Sequence, residues 1–294
     1  ARGLPFDHPM TDPVPRRVII VGDKRDTRRQ LDAMEAVHPW RLHNVLDYET
    51  CEDLTLGLNE KIARVMERIE ALEVAPDGIC GYWDFPQMAM VSLLAARLGL
   101  PAASLESVLR CQHKYWARIL QQEVVPEVTP RFVLVDPERH RREDVDLPYP
   151  FWLKPVRAHS SQLGFRIDGD GDLDAALARM RRGLLRCAPR TDEVLRRCRL
   201  PEEIARVDGR WCIAESLISG ENAWQCTAEG YALEGQAPEV YGIVDSLTYE
   251  GRSSFLRYQY PSSLPDDAKA RIRDVSRRVI SHIGLENRMF NIEF

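Results

Sequence analysis

The chain has 294 residues, 44% hydrophobic and 29% charged, with a formal net charge of −5. That length can enclose more than one core, and the composition is that of a folded globular protein, not a disordered or fibrous one. The negative balance gives no support to nucleic acid or an anionic membrane as partner. The seven cysteines show no C-x-x-C pair and no metal-ligand spacing, as expected of reduced thiols in a cytoplasmic protein. Residues 1–15 are polar and proline-punctuated, without the apolar run of a secretory signal. The most apolar stretch, 85–105, is interrupted by Arg97 and Pro101 and is too broken for a membrane span. The expected partners are small molecules, with homo-oligomerisation left open.

The first hundred residues alternate strand and helix patterns. RRVIIVGDKR (16–25) is a buried-strand run, and TRRQLDAMEAV (27–37) has helical spacing at Leu31, Met34 and Val37, with Thr27 as its cap. WRLHNVLD (40–47) predicts a second strand and LNEKIARVMERIEAL (58–72) an amphipathic helix. DGICGYWD (77–84) predicts a third strand, followed by a helix over 86–98 that ends at Gly99. Such alternation predicts a parallel α/β layer. It has no G-x-G-x-x-G after its first strand, so a dinucleotide site is not expected there. Residues 81–84 end the third strand and are placed to line a crevice at the strand ends.

From Leu105 the pattern changes. Residues 107–125 read as one helix before Pro126, and 131–136, 150–156 and 163–167 as strands. The last two are joined by a hairpin connection from Lys154 to Gly164. The arginine-dense stretch 179–200 fits two amphipathic helices broken at Pro189, their charges forming a solvated face. Strands of antiparallel type follow at 211–218, 221–230, 241–247 and 254–260. A helix over 264–284, closed by Gly284, and a last strand at 288–294 complete the chain.

Only five of the 40 basic residues are lysines, and Lys154 ends an apolar strand beside the polar loop His159-Ser160-Ser161-Gln162. A compact ammonium on a flexible stem beside hydroxyl and amide donors suits a polyphosphate. Lys114 lies earlier, in CQHKYWARIL. In chain order come Lys114, Lys154-Pro155, the polar loop with Gly164, Glu215 ending a strand, Gly220-Glu221, and Asn291-x-Glu293.

This succession resembles the ATP-grasp superfamily over about residues 105–294, and the preceding layer resembles its pre-ATP-grasp domain. The resemblance implies an α/β fold that is α+β in its C-terminal part. Its divisions are a pre-ATP-grasp domain at 1–104, a small ATP-grasp subdomain at 105–210 and a C-terminal subdomain at 211–294, incomplete at its end. It implies that Lys114 and Lys154 neutralise ATP phosphates and that His159, Ser160 and Ser161 belong to the loop covering them. Glu215, Leu217 and Ile218 would meet adenine, with Trp152 as a further wall, and Glu221 would accept from ribose. Glu293 would be the first Mg²⁺ carboxylate. Arg252, Arg257 and Arg288 are candidates for phosphate or substrate carboxylate, with Arg288 and Lys154 taken as catalytic. Each of these residues also has a plain structural reading, as core packing, a surface charge or a polar turn.

The implied function is an ADP-forming ligase that activates a carboxylic acid as an acyl phosphate and couples it to an amine. Carboxylation through carboxyphosphate, as in biotin carboxylase-like members, and a non-catalytic nucleotide-binding module stay open beside it.

Overall fold

The protein is described by a computed structural model, in which residues 14–73, 75–158, 163–218, 223–249 and 255–294 are described. Its contacts divide it into two compact units, between Pro101 and Ala102.

The first unit contains β1 (Arg16–Asp23), α1 (Arg25–Val37), β2 (Trp40–Asp47), α2 (Tyr48–Glu52), α3 (Leu58–Glu70), β3 (Gly78–Cys80) and α4 (Gln87–Leu98). The three strands form a parallel sheet in the order β2-β1-β3. Ile19, Ile20 and Val21 of the central strand are buried, as a strand covered on both faces requires. On α3 the buried positions are Leu58, Lys61, Ile62, Val65 and Ile69, the one-sided stripe expected of its sequence. Gly99 closes α4 at φ 65°, a left-handed conformation that favours glycine.

Two expectations are corrected here. On α1, which begins at Arg25 after Lys24, no residue is buried, so its apolar positions do not form a core face. Thr27 does not cap the helix; its hydroxyl donates to the Lys24 carbonyl at 2.9 Å. The third strand ends at Cys80 and not at Asp84, and at Gly81, just past it, a Cβ would stand 2.9 Å from the Val21 carbonyl oxygen. Only a glycine passes there, and Tyr82 and Trp83 turn away over the end of β1.

Among its described residues the second unit has two four-stranded antiparallel sheets. The first joins β4 (Phe132–Val135), β5 (Phe151–Pro155), β6 (Phe165–Ile167) and β7 (Cys212–Ser216) in the order β4-β7-β5-β6. Residues 212–216, which the sequence division places in the C-terminal subdomain, thus pair with β4 and β5. Phe151 and Leu153, with Val135, Ile167, Cys212 and Ala214, pack one sheet face onto Leu173, Leu177, Met180 and Leu184 of α7 (Asp170–Leu195). That helix is continuous and contains Pro189, so the expected break is not observed.

The second sheet runs β10 (Phe255–Gln259), β9 (Glu239–Thr248), β8 (Cys226–Ala232), β11 (Arg288–Glu293). Ala228, Ala232, Val240, Ile243 and Phe290 are buried, as are Val275, Val279, Ile280 and Ile283 of α9 (Asp266–Ile283), which packs on β8 and β9. Two further helices, α5 (Leu105–Gln112) and α6 (Lys114–Val124), replace the single helix expected over 107–125. A short α8 (Glu202–Ala205) precedes β7.

Gly230 is where the second sheet meets its core most closely. A Cβ there would lie 2.2 Å from Phe290 Cζ and 2.5 Å from the Glu239 carbonyl oxygen, and neither the buried ring nor the backbone can yield cheaply. Gly230→Ala is expected to destabilise the second unit by about 2–3 kcal/mol, read by urea denaturation. Gly99→Ala, which meets nothing within 4 Å, should cost only about 1 kcal/mol through its positive φ.

Candidate active site

The sheet containing β5 and β7 has one face on α7 and one face free of it. Alternation along β5 sends Phe151 and Leu153 to the core and leaves Trp152 and Lys154 on the other face. The register sets Trp152 opposite Glu215 and Lys154 opposite Ile213. Lys154 and Glu215 are therefore diagonal neighbours, within reach of long side chains. The Lys154 ammonium stands 2.6 Å from Glu215 Oε2.

A second cation holds the same carboxylate. Arg118, from α6, donates from Nε to Glu215 Oε1 at 2.9 Å and from Nη2 to Oε2 at 3.4 Å. Its Nη1 donates to Gln121 Oε1, which turns the guanidinium edge toward Glu215. Glu215 is 6% exposed. Burial alone would raise its carboxyl pKa; Arg118 and then Lys154 outweigh that and hold it below its ordinary value.

Lys114 opens α6, and the reason lies one residue earlier. His113 breaks the helical path with φ −85° and ψ 98°, and its Nδ1 accepts from the Trp116 N–H at 3.3 Å as the N-cap. The other ring nitrogen lies 3.3 Å from the Val207 carbonyl, which makes it the N–H donor of a neutral imidazole. Burial, with Arg157 and Lys114 adding like charge, pushes this histidine down to about 4. The Lys114 backbone N–H donates to the Val156 carbonyl at 2.8 Å, and Nζ donates to the Ala158 carbonyl at 2.6 Å. Lys114 and Lys154 are thus both tied to the segment 154–158, immediately before residues 159–162 of the sequence. Gly164 admits the Trp152 indole: a Cβ there would sit 3.1 Å from Trp152 Cζ2.

The remaining candidates are distributed unevenly. Leu217 is half-buried and Ile218 is 75% exposed, just past the end of β7. His159, Ser160, Ser161, Glu221 and Arg252 lie outside the described residues. Arg257 is exposed and donates to Gln259 Oε1 at 3.1 Å. On β11, Asn291 and Glu293 share one face with Glu229 and Thr227 of β8, their cross-strand partners. Asn291 Nδ2 donates to Glu229 Oε1, and Thr227 Oγ1 donates to the same oxygen at 3.0 Å. Arg288 alternates with Phe290 and Ile292 on the opposite face, so it and Glu293 do not share a sheet surface. Among the described residues no three His, Cys, Asp or Glu side chains form a metal-binding group. The donors beside Glu293 are hard oxygens, the type magnesium takes.

Residue-by-residue reading missed Arg118, Gln121, His113 and Glu229. Arg118 stands four residues after Lys114, one helical turn away, and that spacing was the available signal. Glu229 alternates with Thr227 on a strand, but its pairing to Asn291 depends on a register no local pattern states.

No family model matches the chain. A D-alanine–D-alanine ligase of Arthrobacter sp. (strain FB24) is 29% identical over 160 residues, 54% of this chain and 38% of that protein. The chain thus spans well under half the length of this curated relative. The L-amino acid ligase of Bacillus licheniformis superposes with a TM-score of 0.65 at 16% identity, covering 95% of this chain and 62% of that one. Biotin carboxylase of Campylobacter jejuni, solved with an ATP analogue, gives 0.67 at 15% identity, covering 95% and 61%. The chain shares the fold of these two solved enzymes. No described helix is long and apolar enough to cross a membrane.

Two measurements probe this arrangement. The His113 imidazole has a folded value near 4 against about 6.5 unfolded, so the unfolded chain binds the extra proton between them. Stability is full above pH 6.5 and falls by up to about 3 kcal/mol as pH drops toward 4. His113→Asn, which keeps a capping acceptor, should flatten that slope in urea melts at a series of pH values. Arg118→Gln removes the larger of the two cations opposing Glu215 protonation. It should raise the Glu215 pKa, followed by NMR titration of its carboxyl carbon. Because Arg118 is a quarter exposed, the stability loss near pH 7 should be only about 1–2 kcal/mol.

Proposed function

We propose that the protein is an ADP-forming ligase that activates a carboxylic acid with ATP and joins it to an amine. The observation that carries this reading is the buried Glu215 carboxylate held between Arg118 and Lys154, with Lys114 anchored to the same strand end. A lysine whose ammonium is held by Glu215, with a second lysine tied to the Ala158 carbonyl four residues further on, is suited to neutralising a polyphosphate. The D-alanine–D-alanine ligase and L-amino acid ligase relatives support amide formation.

In this reading the acid's carboxylate oxygen attacks the γ-phosphorus of ATP, the bond to the β-phosphate oxygen breaks, and ADP leaves. The amine then attacks the acyl carbon of the acyl phosphate, losing a proton as inorganic phosphate departs. Lys154 and Lys114 offset phosphate charge. Glu215 keeps Lys154 charged and aimed, while Arg118 keeps Glu215 ionised. The loop containing His159, Ser160 and Ser161 supplies donors to phosphate oxygens and excludes water. Leu217, Ile218 and Trp152 bound the adenine, and Glu221 accepts from the ribose hydroxyls. Glu293, with Asn291, would hold Mg²⁺, which supplies further charge neutralisation on the phosphates. Arg288, on the other face of β11 from Glu293, acts only if that face also meets substrate.

The domain division proposed with it is a pre-ATP-grasp domain ahead of two ATP-grasp subdomains, with β7 assigned to the first of these. The protein acts in the cytoplasm on small molecules; self-association is left open.

Lys154→Ala should lower ATP-dependent ADP release about a hundredfold, roughly 3 kcal/mol in the barrier, while the fold survives a stability loss of about 1–2 kcal/mol from the half-paired Glu215. Wild-type turnover in that variant would refute the assignment. Screening ADP release over acids and amines, singly and in pairs, tests the coupling: a signal needing two partners supports amide synthesis. The biotin carboxylase likeness favours one second reading, carboxylation through carboxyphosphate. ADP release that depends on bicarbonate would select it.

A further inference from the structure

The face of the second sheet that carries Asn291 and Glu293 also holds a carboxylate with no cation. Glu229, half-buried on β8, accepts from Asn291 Nδ2 and from Thr227 Oγ1 at 3.0 Å, both on Oε1. Its Oε2 has no hydrogen-bond partner among the described residues, and no described arginine or lysine pairs with it. Neither β8 nor β9 contains an arginine or lysine, and Arg288 of β11 lies on the opposite face. An amide and a hydroxyl fix the direction of this carboxylate but leave its charge uncompensated. Glu215, by contrast, is matched by both Arg118 and Lys154.

Tyrosines flank that carboxylate. The register sets Gly242 of β9 opposite Glu229, and a Cβ on Gly242 would lie 3.9 Å from Glu229 Cβ and 3.3 Å from Tyr260 Cε2. The glycine thus lets the Tyr260 ring down onto β9 beside Glu229. The ladder slips between Glu229 and Gly230, which leaves Tyr241 as an extra residue on β9, the device by which a sheet re-aims a side chain. Tyr241 stacks on Tyr231, which follows Glu229 on the same face of β8, with ring centroids 6.4 Å apart. Burial and then the charge of Glu229 push the Tyr241 phenol above its ordinary value, so ring and carboxylate are in electrostatic reach. The surface is an open face: Tyr241 is 51% exposed, Tyr260 68%, and Met289, opposite Tyr231 on β11, 63%. Large apolar groups left in water around one unmatched charge mark a binding surface.

We propose that this face binds an organic ammonium ion that has an aromatic or apolar body and no carboxylate of its own. The ammonium donates to Glu229 Oε2 and meets the Tyr260 ring, a charge-assisted hydrogen bond joined to a cation–π contact. The body lies along Tyr231, Tyr241 and Met289. A carboxylate on the ligand would face Glu229 and Glu293, with no cation on this face of the three strands to receive it. The binding stands on this face alone; only the ammonium's role, as the amine to be joined to the acid, rests on the ligase reading.

NMR titration of the 294-residue chain with 2-phenylethylammonium, followed at the tyrosine rings, tests it. Two comparison ligands are 2-phenylethanol, which lacks the charge, and phenylalanine, which adds a carboxylate. The expected result is saturable binding of the ammonium with a Kd of about a millimolar, and binding of each comparison ligand at least about fivefold weaker. Glu229→Gln, which keeps the side chain's shape, should weaken ammonium binding at least about fivefold, and Tyr260→Leu about two- to fivefold, with far-UV circular dichroism unchanged. Absence of saturable binding overturns the proposal, and so does equal affinity for the ammonium and the alcohol in the wild-type chain. Undiminished affinity in Glu229→Gln overturns it as well, and phenylalanine binding as tightly as the ammonium overturns the exclusion of a carboxylate. Lys154→Ala should lose ADP release and keep ammonium binding. A wild-type chain that releases ADP with an acid and an amine yet binds no ammonium on this face defeats the site and spares the ligase reading; one that binds the ammonium but never releases ADP does the reverse.

Discussion

One carboxylate organises the candidate site. Glu215 lies in the interior of a sheet with almost no access to water, where an ionised group survives only if paired. Arg118 and Lys154 pair it from two different elements, a helix and the neighbouring strand. The net result is a carboxyl held ionised and a lysine held in place, with its charge on the sheet face away from α7. A buried ion network of this kind is weak evidence for stability, since the desolvation of three charged groups opposes their attraction. Its more persuasive role is to aim an ammonium.

The same separation of duties runs through the second unit. Each antiparallel sheet packs one face on a long helix and leaves the other for polar chemistry. On β5 that puts Phe151 and Leu153 inward and Lys154 outward; on β11 it puts Phe290 inward and Asn291 and Glu293 outward. Period-two alternation lets adjacent residues serve core and site without compromise. It also separates Arg288 from Glu293, five residues apart and therefore on opposite faces. The glycines at 164 and 230 work at the same scale: each removes a Cβ where an aromatic ring must reach the backbone. The first unit repeats the device at Gly22, under Trp83 and Gln87.

Much of the fold was legible from periodicity. The run RRVIIVGD, the spacing of Leu58, Ile62, Val65 and Ile69, and the Gly99 and Gly284 helix ends all behave as their local chemistry dictates. The departures share a cause, which is that long-range contacts outweighed local preference. His113 splits a continuous helical pattern because its imidazole can cap α6 while its other nitrogen reaches Val207, 94 residues on. Pro189 does not break α7, most of whose one-sided apolar stripe is buried against the sheet. The apolar positions of α1 follow helical spacing, yet none is buried, because spacing states which residues share a face and not what covers that face.

The amino-acid sequence by itself determined the alternating character of the first unit, the two lysines and the carboxylates in their succession, since these depend on residue type and near-neighbour spacing. Only the tertiary structure decided which of them meet. That Glu215 answers to Arg118 across 97 residues, that Asn291 turns to Glu229, and that Trp83 and Gln87 close over Gly22 are consequences of strand register and helix docking. Register is settled by the whole buried face of a sheet at once, and a shift of one residue would send Glu215, Glu229 and Asn291 to the other side. No local stretch of the chain contains that information.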